Sequence, residues 1–435
     1  MNLKLLLRAF AHPNFRLFFA GQSLSLIGTW MQQLAVAWLV FLLTQSGFWL
    51  GVAGFFGQIP NLFLTPLAGV LVDRWNRHRL LLLTQSLAMA QAFLLAVLAL
   101  SGVIAVWQIL LLSLFLGLVN VFDMTARQAF LAEVVESRED LANAIALNSS
   151  MVHSARLVGP ALAGWLLAQT SVGVCFLVNG LSYLAVLAAL LAIKVPPRRR
   201  EVSGTQLVQG LREGFVYAFG FAPIRALVLL LALVSLLGTS YRVLLPVFVS
   251  EVLHGGADTL GLLTAAAGLG SLAAAVWLAS RKGLPGLGKW TVLAPGVFGL
   301  GLVAFSFSEV LWLSVLLLLV AGFAMTVQAA ASNTVLQTIV AEDKRGRVMS
   351  LYTMAFLGMA PLGSLLAGSL AEGIGAPNTV RLAGACCIGG SLVFAAWLPH
   401  LRKLLRPSYV HIGLLPETAS GSQTAMGPTV PPEKR

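Results

Sequence analysis

The chain has 435 residues, of which 58% are hydrophobic and only 10% are charged, with 28 lysines and arginines against 16 acids. Soluble globular proteins carry about a quarter charged residues, so water cannot be the solvent for most of this surface. The composition excludes a disordered, fibrous or disulfide-rich secreted protein, and at about 20 residues per crossing the length accommodates roughly a dozen membrane spans and no large soluble domain.

Twelve apolar runs, bounded by turn or charged residues, follow one another along the chain. They fall at about 17–42, 48–72, 80–101, 103–124, 143–169, 172–194, 226–249, 258–280, 290–307, 309–331, 346–371 and 378–399. Each run is long enough to cross about 30 Å of hydrocarbon as a helix. We therefore predict an all-α membrane protein with twelve transmembrane helices.

Basic residues set the orientation of these helices. Of the 28 lysines and arginines, all but Arg156, Arg242 and Arg381 fall in loops and termini on one side of the predicted spans. Because cytoplasmic loops carry an excess of lysine and arginine, both termini are predicted to be cytoplasmic. No A-x-A-like cleavage site separates the first residues from the first span, so they are predicted to form a short interfacial helix.

The sequence divides into two similar halves. The longest polar stretch inside the chain, residues 196–223, separates six spans from six. A run that begins at Gly159 is echoed at Gly363, and a second that begins at Ala126 is echoed at Ala331, at offsets of 204 and 205. The copies therefore run in the same direction, as in alternating-access transporters with the binding site between the halves.

These observations predict four regions. The first is a six-helix bundle over residues 1–195, followed by a cytoplasmic linker over 196–225 and a second six-helix bundle over 226–400, related to the first by pseudo-two-fold symmetry. The last region, 401–435, becomes polar and rich in proline beyond Arg406. We expect it to be a disordered cytoplasmic tail.

A family resemblance enters at the loop after the second span. Residues 69–79, which read G-V-L-V-D-R-W-N-R-H-R, resemble the signature of the major facilitator superfamily between helices 2 and 3, with Asn76 where the family usually has glycine. Further stretches resemble the bacterial subgroup that holds the enterobactin exporter and macrolide efflux pumps. These stretches begin at Asn14, Ala126, Leu141 and Arg345. The resemblance covers roughly residues 14–400.

The resemblance implies a cytoplasmic gate formed by Gly69, Asp73, Arg74 and Arg77 together with an acid on helix 4. In families that carry this loop, the aspartate lies near the cytoplasmic start of helix 11, where a carboxylate is stabilised by exposed amides and the helix dipole. Asp73 would then hold the cytoplasmic side shut. The alternative is that these are interfacial charges that only orient the helices.

Arg77 is expected to pair with an acid at the inner end of helix 4. Asp123 fits this position, because counting about 1.5 Å per residue from Ala105 gives roughly 27 Å, the inner boundary of the membrane. The second half has no counterpart acid, since the residue 208 positions after Asp73 is Arg281. A one-sided lock is therefore predicted.

Helix 5 carries Gly159, Pro160 and Gly164. These residues resemble the exporter-associated motif of the superfamily, in which small residues let backbones approach and proline bends the helix. Bending of the helix without any role in export is the alternative.

A stripe of polar side chains on span 1 is the first candidate for a substrate-binding surface. Gln22, Ser25, Thr29 and Gln32 step by 3, 4 and 3 residues, with Gln33 beside them. Residues at this spacing share one helical face, and polar groups cannot face lipid cheaply, so a cavity-lining role is predicted. Hydrogen bonding between helices is the alternative.

Basic side chains inside spans are the second candidate. Arg156 lies about 18 Å from the predicted cytoplasmic end of helix 5, where it requires water, carbonyls or an anion. His153 lies one turn before Arg156. Arg242 is near the outer end of span 7, where its side chain is expected either to contact substrate or to extend to the membrane surface. We expect no acid at mid-membrane depth, so the coupling residue is left open between His153 as a titratable group and His153 as a packing residue.

We predict a bacterial inner-membrane secondary transporter, monomeric and proton-coupled, that exports a small organic molecule by alternating access. An importer or uniporter of a small metabolite and a non-transporting receptor or scaffold are the alternatives. The arginines favour an anionic, siderophore-like compound, whereas an aromatic lining of Trp30, Trp38 and Phe55 equally suits a hydrophobic drug. The partners are the substrate, protons and the lipid bilayer.

Several other functions are not expected. An enzyme would need clusters of intramembrane acids or histidines, and a nucleotide-driven pump would need a G-x-x-x-x-G-K loop, which this sequence lacks. Cys175, Cys386 and Cys387 lie in apolar runs without metal-ligand spacing. We therefore expect no catalytic residue, no cofactor, no metal and no nucleic-acid partner.

Overall fold

The structure, a computed structural model, describes residues 7–135, 137–194, 207–281, 287–340 and 342–411, and every regular element in these ranges is helical. The first half begins with a 3₁₀ turn, Arg8–Ala11. Its helices are α1 Pro13–Thr44, α2 Gly47–Arg74, α3 Arg77–Leu100, α4 Val106–Val134, α5 Arg138–Gln169 and α6 Val172–Ala192.

A connecting helix, α7 Leu207–Gly220, precedes the second half. The helices of the second half are α8 Ala222–Glu251, α9 Ala257–Ala279, α10 Leu287–Ser306, α11 Leu311–Ile339, α12, which joins Glu342–Thr353 to Met359–Ile374, and α13 Ala376–His411. A π turn interrupts α8 at Val234–Gly238 and α12 at Met354–Gly358, and the Ser235 hydroxyl of the first turn donates a hydrogen bond to the Phe356 carbonyl of the second.

Within the described ranges, eleven helices are long and apolar enough to cross a membrane. The one predicted span that is not among these eleven is the fifth, α5, which has 32 residues and is too polar to meet the same test. It packs between α1 of its own half and α9 of the other half. Packing against protein on two sides leaves less of α5 facing lipid, which is consistent with its lower hydrophobicity.

The helices pack in the same pattern in both halves. In the first half α6 packs on α1 and α3, and α2 packs on α4; in the second half α13 packs on α8 and α10, and α9 packs on α11. The halves meet through α2 with α12 and α5 with α9. Exchanging the two halves converts one of these contacts into the other, which is the pseudo-two-fold arrangement predicted from the repeats.

Polar side chains start several of the helices. The Ser46 hydroxyl accepts a hydrogen bond from the Phe48 amide at the start of α2, and Ser137 accepts one from Glu139 at the start of α5. Asn76, at the position where related loops usually have glycine, accepts one from the Arg79 amide and caps α3. These caps satisfy amides that a helix leaves unpaired at its first turn.

We call the end of the bundle where α1 begins and α2 ends the basic end, and the opposite end the far end. The halves approach most closely toward the far end, where a Cβ added to Gly51 would lie 2.9 Å from Gly368 Cα and one added to Gly164 would lie 2.8 Å from Gly261 Cα. At the basic end, a Cβ added to Gly69 would meet nothing within 4 Å. The two halves are therefore in close backbone contact toward the far end, whereas the Gly69 face of α2 is open at the basic end.

Two predicted boundaries differ from the structure. The predicted linker, 196–225, contains α7, whose Glu213 forms an ion pair with Arg347 of α12, while residues 195–206 lie outside the described part of the chain. The last helix continues past residue 400 to His411, into the region predicted as a tail. The rest of that region, 412–435, and the predicted interfacial residues 1–6 also lie outside the description.

Candidate functional site: a cavity between the halves

A cavity of about 390 Å³ lies between the two halves. Its wall comes from α1, α2, α3, α4 and α5 of the first half and from α8, α11 and α12 of the second. Because both halves contribute to the wall, a molecule bound there would contact both of them. The lining contains glutamine, asparagine, serine, threonine and arginine but no aspartate or glutamate.

Both predicted arginines lie in this cavity. The Arg156 guanidinium of α5 lies over the Trp30 ring, 4.8 Å from its centroid, and its buried Nε has no hydrogen-bond partner. Arg242 of α8 directs Nη2 toward the Met325 sulfur at 3.6 Å and lies 5.9 Å from the ring centroid of Tyr241. Among the described residues, neither arginine pairs with a carboxylate. The two halves thus each present an uncompensated cation to the cavity.

Three amide side chains in the lining were not predicted from the sequence. They are Gln58 of α2, Gln91 of α3 and Asn120 of α4. Each is a single amide in an apolar run, so it produces no periodic signal. Such amides offer both a donor and an acceptor to a bound molecule.

The predicted polar stripe on α1 is divided between two environments. Gln32 and Gln33 line the cavity. Gln22 and Ser25 are buried inside the first half at 0% and 3% exposure, outside the lining. Thr29 bonds to the Ser25 carbonyl at 2.8 Å and contacts the Tyr183 hydroxyl of α6 at 3.3 Å. Hydrogen bonding between helices therefore accounts for much of this stripe.

Gln32 joins three helices at the cavity wall. Its Nε2 donates to Gln91 Oε1 at 2.9 Å, and its Oε1 accepts from Asn179 Nδ2 of α6 at 2.8 Å. Gln91 in turn donates to the Leu112 carbonyl at 3.2 Å. These amides are held by one another, which leaves Gln33 and Asn120 as the more available ligand contacts.

The other predicted cavity residues occupy different places. His153 is not part of the lining, and its Nδ1 is buried without a hydrogen-bond partner in the described chain. Of the predicted aromatic residues, Trp30 borders the cavity, whereas Trp38 packs on Phe41 and Phe55 lies against its neighbour Phe56. The aromatic lining is therefore smaller than predicted.

The predicted pairing of Arg77 with Asp123 is wrong. Arg77 donates through Nη1 to Glu133 Oε1 at 2.8 Å and through Nη2 to Asp73 Oδ1 at 2.8 Å. The reason is length: α4 continues to Val134, so Glu133 rather than Asp123 lies at its basic end. Counting a 30 Å span from the far end placed the membrane boundary about ten residues too early.

Asp123 instead lies inside the first half. It is 7% exposed, and its Oδ1 accepts hydrogen bonds from Thr84 Oγ1 at 3.0 Å and Gln85 Nε2 at 2.7 Å. Gln85 also accepts from the Ser25 hydroxyl at 3.2 Å. Asp123 is therefore a buried acid between the middle of α4 and its basic end, and the absence of an acid at mid-membrane depth stays a prediction.

The remaining gate residues lie at the open basic end. The Asp73 side chain is 70% exposed, and Arg74 beside it is also exposed. Glu133, at 12% exposure, is the buried partner of Arg77. This end of the bundle carries an Asp73–Arg77–Glu133 ion-pair chain that joins α2, α3 and α4 within one half. Closure of the second half onto Asp73 remains a prediction.

The predicted motif of helix 5 lies where α5 meets two partners. A Cβ on Gly159 would lie 2.8 Å from the Ile27 carbonyl of α1, so the backbones are in close contact there. On the other side, a Cβ on Gly261 of α9 would lie 2.7 Å from the Pro160 carbonyl and 2.6 Å from Gly164 Cα. The small residues thus let α5 touch both halves toward the far end.

Two parallel repeats of six helices around a polar cavity define a membrane transporter of the major facilitator type. Comparison with known proteins identifies the group more closely. The chain belongs to the family described as transmembrane secretion effector, whose family model matches residues 6–412.

Individual relatives cover nearly the whole chain. The staphyloferrin A transporter of Staphylococcus aureus (strain NCTC 8325 / PS 47) is 27% identical over 87% of this chain and 94% of its own length. The multidrug efflux pump Tap of Mycolicibacterium fortuitum is 26% identical over 85% and 92%. The enterobactin exporter EntS of Citrobacter koseri is 27% identical over 95% and 98%.

The fold is also found among solved structures. A crystal structure of the nucleoside transporter NupG matches with a TM-score of 0.67 at 15% identity, covering 91% of this chain and 99% of that one. At this identity the likeness concerns the fold alone. The relatives and the fold together describe a multi-span transporter for small molecules.

Proposed function

We propose that this protein exports a small, anionic, acceptor-rich organic molecule of the siderophore type from the cytoplasm, by alternating access and in exchange for protons. The observation that carries the proposal is the pair Arg156 and Arg242, one from each half, in a cavity whose lining has no acid. Two of the relatives are transporters named for siderophores, staphyloferrin A and enterobactin.

Physical chemistry supports an anionic ligand. An arginine at the centre of a membrane helix costs about 2.5–3.5 kcal/mol on insertion scales, so two of them require compensation. Trp30 supplies part of it for Arg156 through a cation–π contact. A carboxylate or catecholate between the guanidiniums would supply more, because hydrogen bonds to charged groups contribute about 1.5–3 kcal/mol. Such a ligand would also draw the two halves together.

The orientation follows from the basic residues. If the basic end faces the cytoplasm, as the distribution of lysine and arginine favours, the structure is open to the cytoplasm and closed at the far end. The ion-pair chain at Asp73, Arg77 and Glu133 is then free to lock the cytoplasmic side when the halves rock the other way. We propose accordingly that the protein works as a monomer in the bacterial inner membrane, with both termini in the cytoplasm.

A hydrophobic drug is the second candidate substrate. Trp30, Leu50, Met325 and Phe356 give the cavity an apolar component, and the relative Tap is a multidrug efflux pump. Such a substrate would bind by apolar contact and would not depend on the two arginines.

The test is transport in everted vesicles with an imposed pH gradient, comparing a catecholate siderophore with a macrolide. For Arg156→Gln and Arg242→Gln we expect siderophore transport to fall about 10-fold or more, as loss of a charge-assisted hydrogen bond predicts. Macrolide transport should change much less. Arg381→Gln is the matched control, because Arg381 lies over the Phe307 ring outside the cavity.

Four results would contradict the proposal. Equal losses for both substrates would assign the arginines to structure. Accumulation that requires right-side-out vesicles would indicate an importer, and transport that ignores the pH gradient would indicate a uniporter. Absence of transport for either compound would favour a receptor or scaffold.

A further inference from the structure

Asp123 is a carboxylate surrounded by neutral partners. Its Oδ1 holds both of its hydrogen bonds, from Thr84 and Gln85, while Oδ2 accepts none from the described residues. No cation of the described chain lies within ion-pair distance of it. One oxygen is therefore anchored, and the other is open to a further ligand.

The position of Asp123 is well inside the bundle. Its partner Gln85 lies eight residues, or about 12 Å, along α3 from the helix start at Arg77. Ser25, which bonds to Gln85, lies twelve residues, or about 18 Å, along α1 from Pro13. Buried charges in proteins are usually paired with an opposite charge, whereas this buried carboxylate has only neutral hydrogen-bond partners among the described residues.

The charged and titratable groups around Asp123 are few. Tyr183 of α6, which contacts Thr29, and Arg127, one turn along α4, are within electrostatic reach. The contacts from α1 and α3 are neutral, and α2 has no titratable side chain before Asp73. On α5, Arg156 lies over Trp30 at the cavity.

We infer that Asp123 is the proton-binding site of the transport cycle, with Oδ2 as the atom that receives the proton. This inference deepens the proposed exchange of substrate for protons and rests on it for its role in transport. Proton binding forms one O–H bond and neutralises the carboxylate, and release toward the basic end restores it. No other bond changes.

The surroundings connect this site to both the cavity and the basic end. Toward the far end, Asn120 lies one turn from Asp123 on α4 and lines the cavity. Toward the basic end, Arg127 is half-buried and donates to Gln22 Oε1 at 3.4 Å. Arg127 thus marks the side from which water reaches the network while the basic end is open.

The polar contacts also connect the proton site to the cavity. Asp123 binds Gln85, which binds Ser25 of α1. Thr29 binds the Ser25 carbonyl, and Gln32, which follows Thr29 along that face, borders the cavity. A change of charge at Asp123 therefore acts on the helix that carries part of the substrate wall. Two sites linked in this way affect each other's affinity reciprocally.

The experiment compares Asp123→Asn, Asp123→Glu and a matched control, Asp258→Asn, which removes an exposed carboxylate at the first turn of α9. Asparagine retains an acceptor for Thr84 and Gln85 but cannot take up a proton. Infrared difference spectra of the purified full-length protein between acidic and alkaline buffer measure protonation of the carboxyl without any substrate. In reconstituted liposomes we measure catecholate transport driven by a pH gradient and, separately, the exchange of catecholate for catecholate across the membrane without a gradient.

We expect the spectrum of Asp123→Asn to lose one carboxylic acid band that wild type and Asp258→Asn retain. Gradient-driven transport should fall about 10-fold or more, within the range of coupling free energies, while exchange stays near wild type. Asp123→Glu should retain the band and part of the driven transport.

Two outcomes overturn the inference. An unchanged infrared band in Asp123→Asn would show that this carboxyl does not titrate. Equal loss of exchange and driven transport in both Asp123 variants, with folding intact, would assign Asp123 to structure. If wild type carries no catecholate, the proposed function fails, and the infrared spectra still decide whether Asp123 binds a proton.

Discussion

The two halves of this transporter share a fold but use their buried polar residues differently. In the first half, long side chains bond to one another across helices, as Gln32 does to Gln91 and Asn179. In the second, buried hydroxyls bond mostly to carbonyls, as Ser271 does to Ala267 and Gly322. A side chain bonded to another side chain can exchange its partner when helices move, whereas one bonded to a helix carbonyl chiefly secures packing.

The largest difference between the two halves lies at corresponding positions of the sequence repeat. At the offset of 205 that relates the fourth helices of the two halves, Asp123 and Arg127 correspond to Gln328 and Ser332. The charged pair of positions in one copy is neutral in the other. Gln328 is 1% exposed and makes no hydrogen bond with the described residues. On the proposal that Asp123 binds the proton, the ion chemistry belongs to the first half.

The largest effect is expected from placing an acid in the second half. Gln328→Asp creates a buried carboxylate with no donor, which should destabilise the protein by about 2.5–3.5 kcal/mol. The measurement is the thermal midpoint in detergent at neutral pH, with Gln328→Leu as the uncharged control. Wild-type stability of Gln328→Asp would mean that the second half can also support a charge, and the contrast between the halves would be lost.

An intermediate effect is expected from the cations at the basic end. Arg77 is held by Glu133 and Asp73, whereas Arg281, its approximate counterpart, lies 4.2 Å from the ring centroid of Trp277. Arg77→Gln should cost about 1.5–3 kcal/mol, as loss of charge-assisted hydrogen bonds does. Arg281→Gln should cost about 0.5–1 kcal/mol, as for an exposed cation–π contact.

Thermal midpoints of the two variants, measured side by side, check this order, and the reverse order would refute it. Arg79→Gln, an exposed neighbour of Arg77, serves as the control and should leave the midpoint unchanged.

The last comparison concerns single buried polar groups, one in each half. Gln32→Leu leaves Gln91 and Asn179 each without a partner and should cost about 1–3 kcal/mol. Ser271→Ala removes one hydroxyl bonded to carbonyls and should cost about 0.6 kcal/mol, the average for such bonds in membrane proteins. Guanidinium or heat titration of both variants measures the difference. Equal costs would show that the two halves depend on their polar residues to the same extent.

Much of the fold could be predicted from the sequence because the signals were one-dimensional. The apolar runs predicted the spans, and the repeat offsets predicted two parallel copies. The position of Arg156 deep in a predicted span correctly indicated that it lies at the cavity. The polar stripe of α1 correctly identified one helical face. It could not reveal which neighbour covers that face, and here α3 and α6 cover most of it.

The errors arose because the number of residues along a helix was used as a measure of depth in the membrane. Counting from the far end made Asp123 the partner of Arg77, but helices extend beyond the hydrocarbon and Glu133 occupies that position. The same count concealed a buried acid. Single amides such as Gln58 and Asn120 form no periodic pattern in the sequence. Their place in the cavity depends on how the two halves pack together, and the sequence of one helix does not show that packing.

The π turn at Val234–Gly238 lies one helical turn before Arg242 in α8. A π turn holds one residue more than an α-helical turn, because its hydrogen bonds join residues five apart rather than four. Deleting one residue from this turn would therefore let α8 continue as a regular α-helix, and we expect Arg242 to keep its place at the cavity. The Ser235 hydroxyl, which lies inside the turn, would change direction and lose the Phe356 carbonyl of the facing π turn. The extra residue thus adds a hydrogen bond within the second half without changing the register of the substrate wall.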